Sequence, residues 1–359
     1  MSANLSEIMP GHILFIGNFL SASGKSRSVS EELAQRFSRR GWSIETSSRI
    51  SNRFLRLLDM IASSVRLGRS SDIAIIEVYS GRAFLWAEVT ASILKLLKRP
   101  IVLVLHGGNL PGFSKKNHNR VSRLLRAVDA VVSPSHFLQR ELSNFRNDIK
   151  VIPNAIDLID AATDETVQVK VDISWLRAFH AIYNPALAVK VLSIVLKRFP
   201  EATLTMYGPD KGDGSLQETK RIAEELGILE RIVFAGQIPK TDVQEKLSGH
   251  SIFINTTNVD NTPVSVIEAM AARCAIVSTD VGGIPDLLEH ERTALLVPPN
   301  DADAMATAVI RILTEDGLAE RLSTNARREA EKYAWDIVIP QWEHLFERVV
   351  AKSRGVIKS

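Results

Sequence analysis

Short apolar runs alternate with helical patterns along the first half of the chain. Residues 12–17 form the first run and predict a buried strand that ends at a glycine. The segment 28–40 predicts a helix with one apolar face, formed by Val29, Leu33 and Phe37. Further strands are predicted at residues 72–78, 101–105, 129–133 and 150–152. Strands that are apolar on both faces and separated by helices indicate a parallel sheet covered on both sides.

The same alternation starts again after an aperiodic, acidic segment, 153–169, which predicts an interdomain linker. Strands are predicted beyond it at residues 170–176, 202–207, 231–235, 251–256, 275–279 and 293–297, with helices such as 185–198 and 215–226 between them. About the last fifty residues are typical of helix alone. We therefore expect an α/β chain with two doubly wound, Rossmann-like domains that face each other across a cleft, where such sheets bind ligands. The expected domains are 1–155 and 156–335, with a C-terminal helix, 336–359, that returns to the first domain.

Composition supports a folded two-domain chain and adds a charge asymmetry. The 359 residues are 45% apolar and 24% charged, and the lone Cys274 permits no internal disulfide. The first 160 residues carry 22 Lys and Arg against 13 Asp and Glu, whereas the remainder carries 22 against 28. A basic first half suggests an anionic partner or surface on that side. No secretory signal or membrane-spanning run is found in the sequence, so the expected location is the cytoplasm.

One glycine-containing loop resembles a phosphate-binding loop but has the wrong spacing. Ser21-Ala-Ser-Gly-Lys-Ser26 follows a predicted strand and precedes a helix. The residue five before Gly24 is Phe19, so the G-x-x-x-x-G-K-[ST] pattern fails. A loop of small residues with free N–H groups still suits an anion or a sugar, and a flexible loop without a ligand is an equal alternative.

The most specific stretch is residues 258–271, in which seven residues separate two acids. Thr262 and Pro263 predict a helix start, with a capping residue before proline at the first helical position. Asp260 then lies in the loop before the helix and Glu268 lies inside it. Helix-start N–H groups suit a diphosphate, and a carboxylate deeper in the helix suits a ribose diol. From spacing alone, a solvated loop acid and a helix-surface acid are the simpler interpretation.

This stretch resembles the E-x7-E signature of glycosyltransferase family 4, the large retaining GT-B family. Val277-Ser-Thr-Asp-Val-Gly-Gly-Ile-Pro-Asp286 is similar to that family's T-D-V-G-G-x-x-E block. Further similarities follow in the family's order at His106-Gly-Gly108, Val132-Ser-Pro-Ser-His136, Val151-Ile-Pro-Asn154, Tyr207-Gly-Pro209 and Ala235-Gly-Gln237. Together the motifs cover residues 12–350, roughly the whole chain, and imply the GT-B fold with two Rossmann-like domains.

The resemblance implies a role for each matching residue. Glu268 would hold the donor ribose, Asp260 would approach the transferred sugar, and Arg177 would neutralise the phosphates. His106 would project from the first domain toward the reacting centre as a catalytic group, together with Asp260. The remaining implied contacts are the loop beside the diphosphate and sugar, the residue packed on the base, and the first loop of the first domain: Asn261, Thr262 and Pro263; Ile238; Gly17 and Asn18.

Three departures from the family pattern concern the same site. The first acid is Asp260 rather than Glu, and Asp286 stands where the T-D-V-G-G block often has Glu. The family usually has a lysine shortly after the arginine, but Tyr183 and Asn184 occupy that region here. The diphosphate therefore lacks one expected cation, for which Lys211 is a candidate replacement.

The expected function is retaining transfer of a sugar from a UDP- or GDP-sugar to a glycan, lipid-linked or small-molecule acceptor. No cofactor, metal or nucleic-acid partner is expected, because Arg177 and helix dipoles would take the place of a metal. The alternatives are a sugar-nucleotide epimerase, an exported sugar-binding protein and a catalytically silent relative that binds sugar nucleotides.

A basic amphipathic stretch, residues 49–61, raises the question of a membrane surface. Its cationic residues suit anionic lipid, and its apolar side chains suit either insertion or the protein core: Phe54, Leu57, Leu58 and Ile61. Peripheral attachment at the inner membrane face is therefore an open expectation, with the core alternative somewhat favoured.

Overall fold

The computed structural model describes residues 11–20, 28–158 and 171–356. The loop 21–26 and most of the predicted linker lie outside this part of the chain. The structure divides into two compact units. The first comprises Met1–Asn154 with Asp336–Ser359, and the second comprises Ala155–Trp335.

The first unit contains a six-stranded parallel sheet in the order β2-β1-β3-β4-β5-β6. Its strands are β1 (His12–Ile16), β2 (Ser43–Ser47), β3 (Ile73–Val78), β4 (Ile101–Leu105), β5 (Ala130–Ser133) and β6 (Lys150–Val151). Its helices are α1 (Val29–Arg39), α2 (Arg53–Arg66), α3 (Phe84–Leu96), α4 (Leu110–Lys116), α5 (His118–Arg126) and α6 (His136–Leu142). β3 and β4 are buried along their whole length, which confirms the prediction of strands covered on both faces.

Local sequence explains the start of α1. The Ser28 hydroxyl accepts a hydrogen bond from Glu31 N at 3.2 Å, and the Glu31 carboxylate accepts one from Ser28 N at 2.7 Å. This reciprocal capping box satisfies two backbone donors that a helix start leaves unpaired. Strand β2, in contrast, was not predicted, because it is a polar edge strand without an apolar run.

The C-terminal helix α14 (Trp335–Ser353) packs on the first unit. The Phe346 ring lies 5.1 Å from the Phe37 ring and 5.9 Å from the Trp42 ring. Arg40 also pairs with Glu343 at 3.0 Å. These contacts agree with the prediction that the chain ends in a helix returning to the first half.

The second unit contains a six-stranded parallel sheet in the order β12-β11-β10-β7-β8-β9. Its strands are β7 (Asp172–Leu176), β8 (Thr203–Tyr207), β9 (Ile232–Gly236), β10 (Ile252–Asn255), β11 (Ala275–Thr279) and β12 (Leu295–Val297). Its helices are α7 (Pro185–Val195), α8 (Ser215–Glu225), α9 (Val243–Ser248), α10 (Val264–Ala271), α11 (Ile284–Leu287), α12 (Ala302–Thr314) and α13 (Leu318–Ala330). The sheet order places β10 beside β7, so the residues that follow these two strands lie at the same sheet edge.

Helix α2 only partly follows the predicted amphipathic pattern. Phe54 is 69% exposed and Leu58 47% exposed, as insertion into lipid would require, whereas Leu57 and Ile61 are half-buried. The prediction missed that Arg56 is buried inside the unit. No helix in the described part of the chain is both long and apolar enough to cross a bilayer.

Candidate functional site

Two neighbouring strands of the second unit bring the predicted donor-site residues together. Arg177 follows β7, Asp260 lies in the loop after β10, and Glu268 lies on α10, which follows that loop. The carboxyl ends of β7 and β10 meet at one edge of the sheet, the usual ligand-binding edge of doubly wound folds. We call Arg177, Asp260, Glu268 and their contacts the donor-side cluster.

The Arg177 side chain is 14% exposed and lies among groups that suit a cation. Its guanidinium pairs with the Asp260 carboxylate and lies over the Tyr183 ring, 4.1 Å from the ring centre. Burial lowers the pKa of Arg177, and the nearby Tyr183 and Glu268 oppose that shift. Arg177 Nε is buried and has no hydrogen-bond partner among the described residues. The Nε–H of Arg177 is therefore available to a ligand, whereas Nη2 already pairs with Asp260.

The loop that carries Asp260 is held by the two glycines of the T-D-V-G-G-like block. Gly283 N donates to the Asp260 carbonyl at 3.2 Å. A Cβ atom on Gly282 would lie 2.1 Å from that carbonyl oxygen, and one on Gly283 would lie 1.9 Å from the Asn261 carbonyl oxygen. Any side chain at either glycine would displace the backbone that positions Asp260, which explains the residue types in physical terms.

Helix α10 begins one residue later than the capping pattern predicted. Pro263 is the residue before the first turn and makes no side-chain cap, and the helix starts at Val264. Glu268 is only 6% exposed, so its interpretation as a helix-surface charge is wrong. Ser265, in the first turn, is equally buried, and its hydroxyl has no hydrogen-bond partner among the described residues.

The other predicted donor-side residues lie in the same unit. Asn261 and Pro263 are buried and Thr262 is half-buried. Ile238 is half-buried and packs against the apolar cluster to which α10 contributes Val266 and Ile267. Lys211, the candidate replacement for the missing lysine, is exposed. Asp260 is not the solvated loop acid of the simpler interpretation, because its side chain is 13% exposed and paired with Arg177.

The predicted residues of the first unit form a second cluster at the carboxyl end of its sheet. Gly17 and Asn18 follow β1, and His106 follows β4 and donates its backbone N–H to Val78 O at 2.9 Å. Glu77, near the end of β3, lies between them: its carboxylate accepts from Asn18 N at 2.8 Å and lies 3.6 Å from His106 Nε2. We call Gly17, Asn18, Glu77, Tyr79 and His106 the acceptor-side cluster.

Sequence reasoning missed Glu77 in this cluster, and Tyr183 and Ser265 in the second unit. A glutamate inside an otherwise apolar strand was the available signal for Glu77, because a buried charge requires specific partners. Tyr183 was noted only as a substitute for lysine, and nothing in the pattern indicated that it stacks on Arg177. Ser265 carries no signal in the sequence that distinguishes it from an ordinary helix-start serine.

Within the described residues, no group of three or more His, Cys, Asp or Glu side chains is arranged to hold a metal ion. Arg177 is the cationic side chain that pairs with Asp260 in the donor-side cluster.

Two family models match the chain in succession. The model described as Glycosyltransferase Family 4 matches residues 26–159, and the model described as Glycosyl transferases group 1 matches residues 172–329. The chain belongs to the group 1, family 4 glycosyltransferases. The second model covers the whole donor-side cluster, and the first covers Glu77 and His106.

Curated relatives of this glycosyltransferase chain are similar at low identity. N-acetyl-alpha-D-glucosaminyl L-malate synthase of Bacillus anthracis is 24% identical over 277 residues, which are 71% of this chain and 69% of that protein. TuaC of Bacillus subtilis is 29% identical over 227 residues, which are 59% of this chain and 54% of that protein. The chain spans only 17% to 54% of the length of three curated relatives that it matches, including TuaC.

Among solved structures, Anabaena HepE in complex with UDP superimposes with a TM-score of 0.76 at 17% identity. The superposition covers 94% of this chain and all of that chain. This likeness confirms the two-domain GT-B fold predicted from the sequence.

Proposed function

We propose that this chain is a retaining glycosyltransferase that transfers a sugar from a nucleotide-diphosphate donor, such as a UDP- or GDP-sugar, without a metal ion. The observation that carries the proposal is the donor-side cluster: an arginine whose side chain is only 14% exposed and a buried glutamate within α10, in the unit that matches the group 1 model. Curated relatives of the chain are named as glycosyltransferases, and HepE, of the same fold, was crystallised with UDP.

Each part of a nucleotide-diphosphate donor has a matching group in this cluster. The guanidinium of Arg177 suits the diphosphate because it offers several N–H donors in a rigid plane. The free N–H groups at the start of α10 and the unpartnered Ser265 hydroxyl add donors for the same anion. The Glu268 carboxylate can accept hydrogen bonds from a ribose diol, as the acid of dinucleotide-binding folds does.

The charges account for transfer without a metal. When the bond between the sugar and the phosphate breaks, the electron pair leaves with the diphosphate, and the sugar becomes oxocarbenium-like. Arg177 and the aligned N–H groups of α10 would stabilise the departing charge. Asp260 would contact the transferred sugar once the diphosphate has taken its place beside Arg177, and His106 would serve the reacting centre as the family resemblance implies.

A lipid-linked acceptor is favoured by the surface of α2. Phe54, Leu55 and Leu58 are exposed on this helix, and the exposed Arg49 and Arg53 precede or begin it. An apolar face bordered by arginines suits the surface of an anionic bilayer, where a lipid-linked acceptor would reside. We therefore include peripheral attachment to anionic lipid in the proposal.

Turnover of sugar nucleotides tests the transfer itself. UDP- and GDP-sugars are incubated with the protein in EDTA, with and without lipid-linked and soluble acceptors, and the products are analysed by NMR. We expect a glycosylated product that retains the anomeric configuration of the donor. An inverted product, or activity that disappears on chelation, would contradict the mechanism.

Vesicle binding tests the surface of α2. The double substitution Phe54→Ser and Leu58→Ser should abolish co-sedimentation with vesicles of anionic phosphatidylglycerol. The matched control is Val233→Ser, on an exposed edge strand of the second unit, which should leave co-sedimentation unchanged. Equal sedimentation of both variants would contradict lipid attachment through α2.

A second candidate function follows from the ion pair in the donor-side cluster. Because Asp260 already occupies the guanidinium of Arg177, a chain that binds sugar nucleotides weakly and transfers nothing is a specific alternative. Nucleotide binding without transfer or hydrolysis, across the same panel of sugar nucleotides, would favour it.

A further inference from the structure

Glu77 is a buried carboxylate with two different sides. Its side chain is 2% exposed and lies at the carboxyl end of β3. One oxygen, Oε2, accepts hydrogen bonds from Asn18 N at 2.8 Å and from the Tyr79 hydroxyl at 3.2 Å. The other, Oε1, is buried without a hydrogen bond among the described residues and faces His106 Nε2 at 3.6 Å.

His106 is held in place by its neighbours on β3. Its backbone N–H donates to Val78 O, and the Tyr79 ring stacks on the imidazole with ring centres 5.0 Å apart and planes 17° apart. Nε2 is buried and has no hydrogen bond among the described residues, whereas the ring as a whole keeps 14% of its surface exposed. Nε2 of the imidazole therefore faces Glu77, and Nδ1 remains available to another partner.

We propose that Glu77 is a positioning residue that fixes the proton of the neutral His106 ring on Nε2, so that Nδ1 presents a lone pair to a substrate hydroxyl. A lone pair on Nε2 would face the anionic Oε1 and be repelled, whereas an Nε2–H is attracted. Because Oε2 is already engaged by two donors, Oε1 is the oxygen that remains for His106. This inference rests on the proposed glycosyltransferase function, for which His106 is the acceptor-side group.

Burial of the imidazole favours its neutral form. Burial lowers the pKa of His106, and the negative charge of Glu77 opposes that shift without cancelling it. Burial and the same carboxylate raise the pKa of Tyr79, so its hydroxyl stays protonated. Arg56, a buried cation that contacts this cluster through Asn18, donates to Asn18 Oδ1 at 2.7 Å and to the Ile50 carbonyl at 2.7 Å.

Gly17 belongs to the same arrangement. A Cβ atom on Gly17 would lie 2.3 Å from Glu77 Oε2 and 2.5 Å from its carboxyl carbon. The carboxylate is buried and hydrogen-bonded, so a side chain at residue 17 would displace it from its partners. Position 17, in the loop after β1, is therefore a glycine because the Glu77 carboxylate occupies the space of a side chain.

Glu77→Gln tests the proposal by replacing the acceptor that faces His106 Nε2 with a donor. The Asn18 N–H requires an acceptor at the Oε2 position, so the amide oxygen should stay there and the amide NH2 should face His106 Nε2. The proton of His106 should then move to Nδ1. Two-bond ¹⁵N–¹H NMR of the histidine side chains reports the tautomer directly in the free protein, with His106→Gln used to assign the signals.

We expect the Nε2–H tautomer in the wild-type chain at neutral pH and the Nδ1–H tautomer in Glu77→Gln. A wild-type imidazolium, or a wild-type Nδ1–H tautomer, would overturn the proposal even if the variant does not fold. The exposed Glu45→Gln, in the same unit, is the matched control and should leave His106 unchanged.

Transfer assays form the second arm. Glu77→Gln should reduce kcat about 100-fold and leave nucleotide affinity unchanged, since general acid–base and positioning groups contribute about 10²- to 10⁴-fold. The same substitution in a His106→Gln background should cause no further loss, because Glu77 acts through the imidazole. A full additional loss in that background would contradict the proposal, whereas the NMR result stands independently of whether transfer is observed.

Discussion

The acceptor-side and donor-side clusters hold their carboxylates in opposite ways. In the first unit, Glu77 accepts hydrogen bonds from Asn18 and Tyr79 and lies 3.6 Å from His106 Nε2. In the second unit, the Asp260 carboxylate is paired with Arg177, the residue that we assign to the donor phosphates. A carboxylate enclosed by protein can stabilise its own surroundings, or it can pair with a cation that we assign to a ligand. On this assignment, only the second kind of contact must be exchanged when the substrate binds.

Replacing the arginine should have the largest effect. Arg177→Met should weaken binding of a nucleoside diphosphate by about 30- to 3,000-fold, because losing a buried charge-assisted contact costs about 2–5 kcal/mol. Isothermal titration measures the change. Arg177→Lys, which keeps the charge but loses the planar donors, should recover only part of the affinity.

Arg177→Met also leaves the Asp260 carboxylate without its cation, so the substitution could reduce the stability of the second unit. Thermal unfolding of the variant is therefore measured as a control for folding. Unchanged nucleotide affinity in a folded Arg177→Met variant would show that the diphosphate binds elsewhere.

Glu268→Gln should have the next largest effect. It should distinguish the contribution of the nucleoside to binding from that of the phosphates. We expect nucleoside diphosphate affinity to fall about tenfold or more, because hydrogen bonds to a charged group contribute about 1.5–3 kcal/mol. Binding of inorganic pyrophosphate should be unaffected, since Glu268 is assigned to the ribose. The exposed Glu224→Gln, in the same unit, is the control, and an equal loss for pyrophosphate would contradict the assignment.

Asp260→Asn should raise the nucleotide affinity, in contrast to the two substitutions above. It tests whether Asp260 competes with the ligand for Arg177. Without the negative charge, Arg177 is free to meet phosphate, so the affinity for a nucleoside diphosphate should rise by about three- to tenfold, a change of about 1 kcal/mol. Sugar transfer should nevertheless fall, because Asp260 is assigned to the transferred sugar. Weaker nucleotide binding by Asp260→Asn would show that the ion pair assists the donor site and does not compete with it.

Tyr183→Leu should have the smallest effect. Tyr183 stacks on the guanidinium of Arg177, and a cation–π contact contributes about 0.5–2 kcal/mol. We expect nucleotide affinity to fall about three- to tenfold, and Tyr183→Phe, which keeps the ring, should remain near the wild-type value. Equal losses for both variants would assign the effect to the hydroxyl and would exclude the stack as its cause.

Much of the fold could be predicted from the sequence because apolar runs and helical periodicity report burial directly. The strands ending near Val78, Leu105 and Leu176 were predicted on this basis, and the structure contains them. β2 could not be predicted in the same way, because its pairing at the sheet edge is determined by the neighbouring β1 and not by its own residues.

The site was predicted less completely, for a physical reason. Arg177, Asp260 and Glu268 match a motif, so their proximity followed from the strand order expected for the family. The roles of Glu77 and Arg56 depend on which neighbours surround a buried charge, and spacing along the chain carries no such information. Arg56 even lies in the stretch that was considered as a lipid-facing helix, although its own side chain points into the unit.

Titration of UDP and GDP into three forms of the protein tests the donor site most directly: wild type, Arg177→Met with Glu268→Gln, and Glu77→Gln. We predict that wild type and Glu77→Gln bind at least one of the two nucleotides equally well, and that the doubly substituted form binds neither. Undiminished binding by the doubly substituted form, or no binding of either nucleotide by the wild type, would contradict the assignment of the donor site.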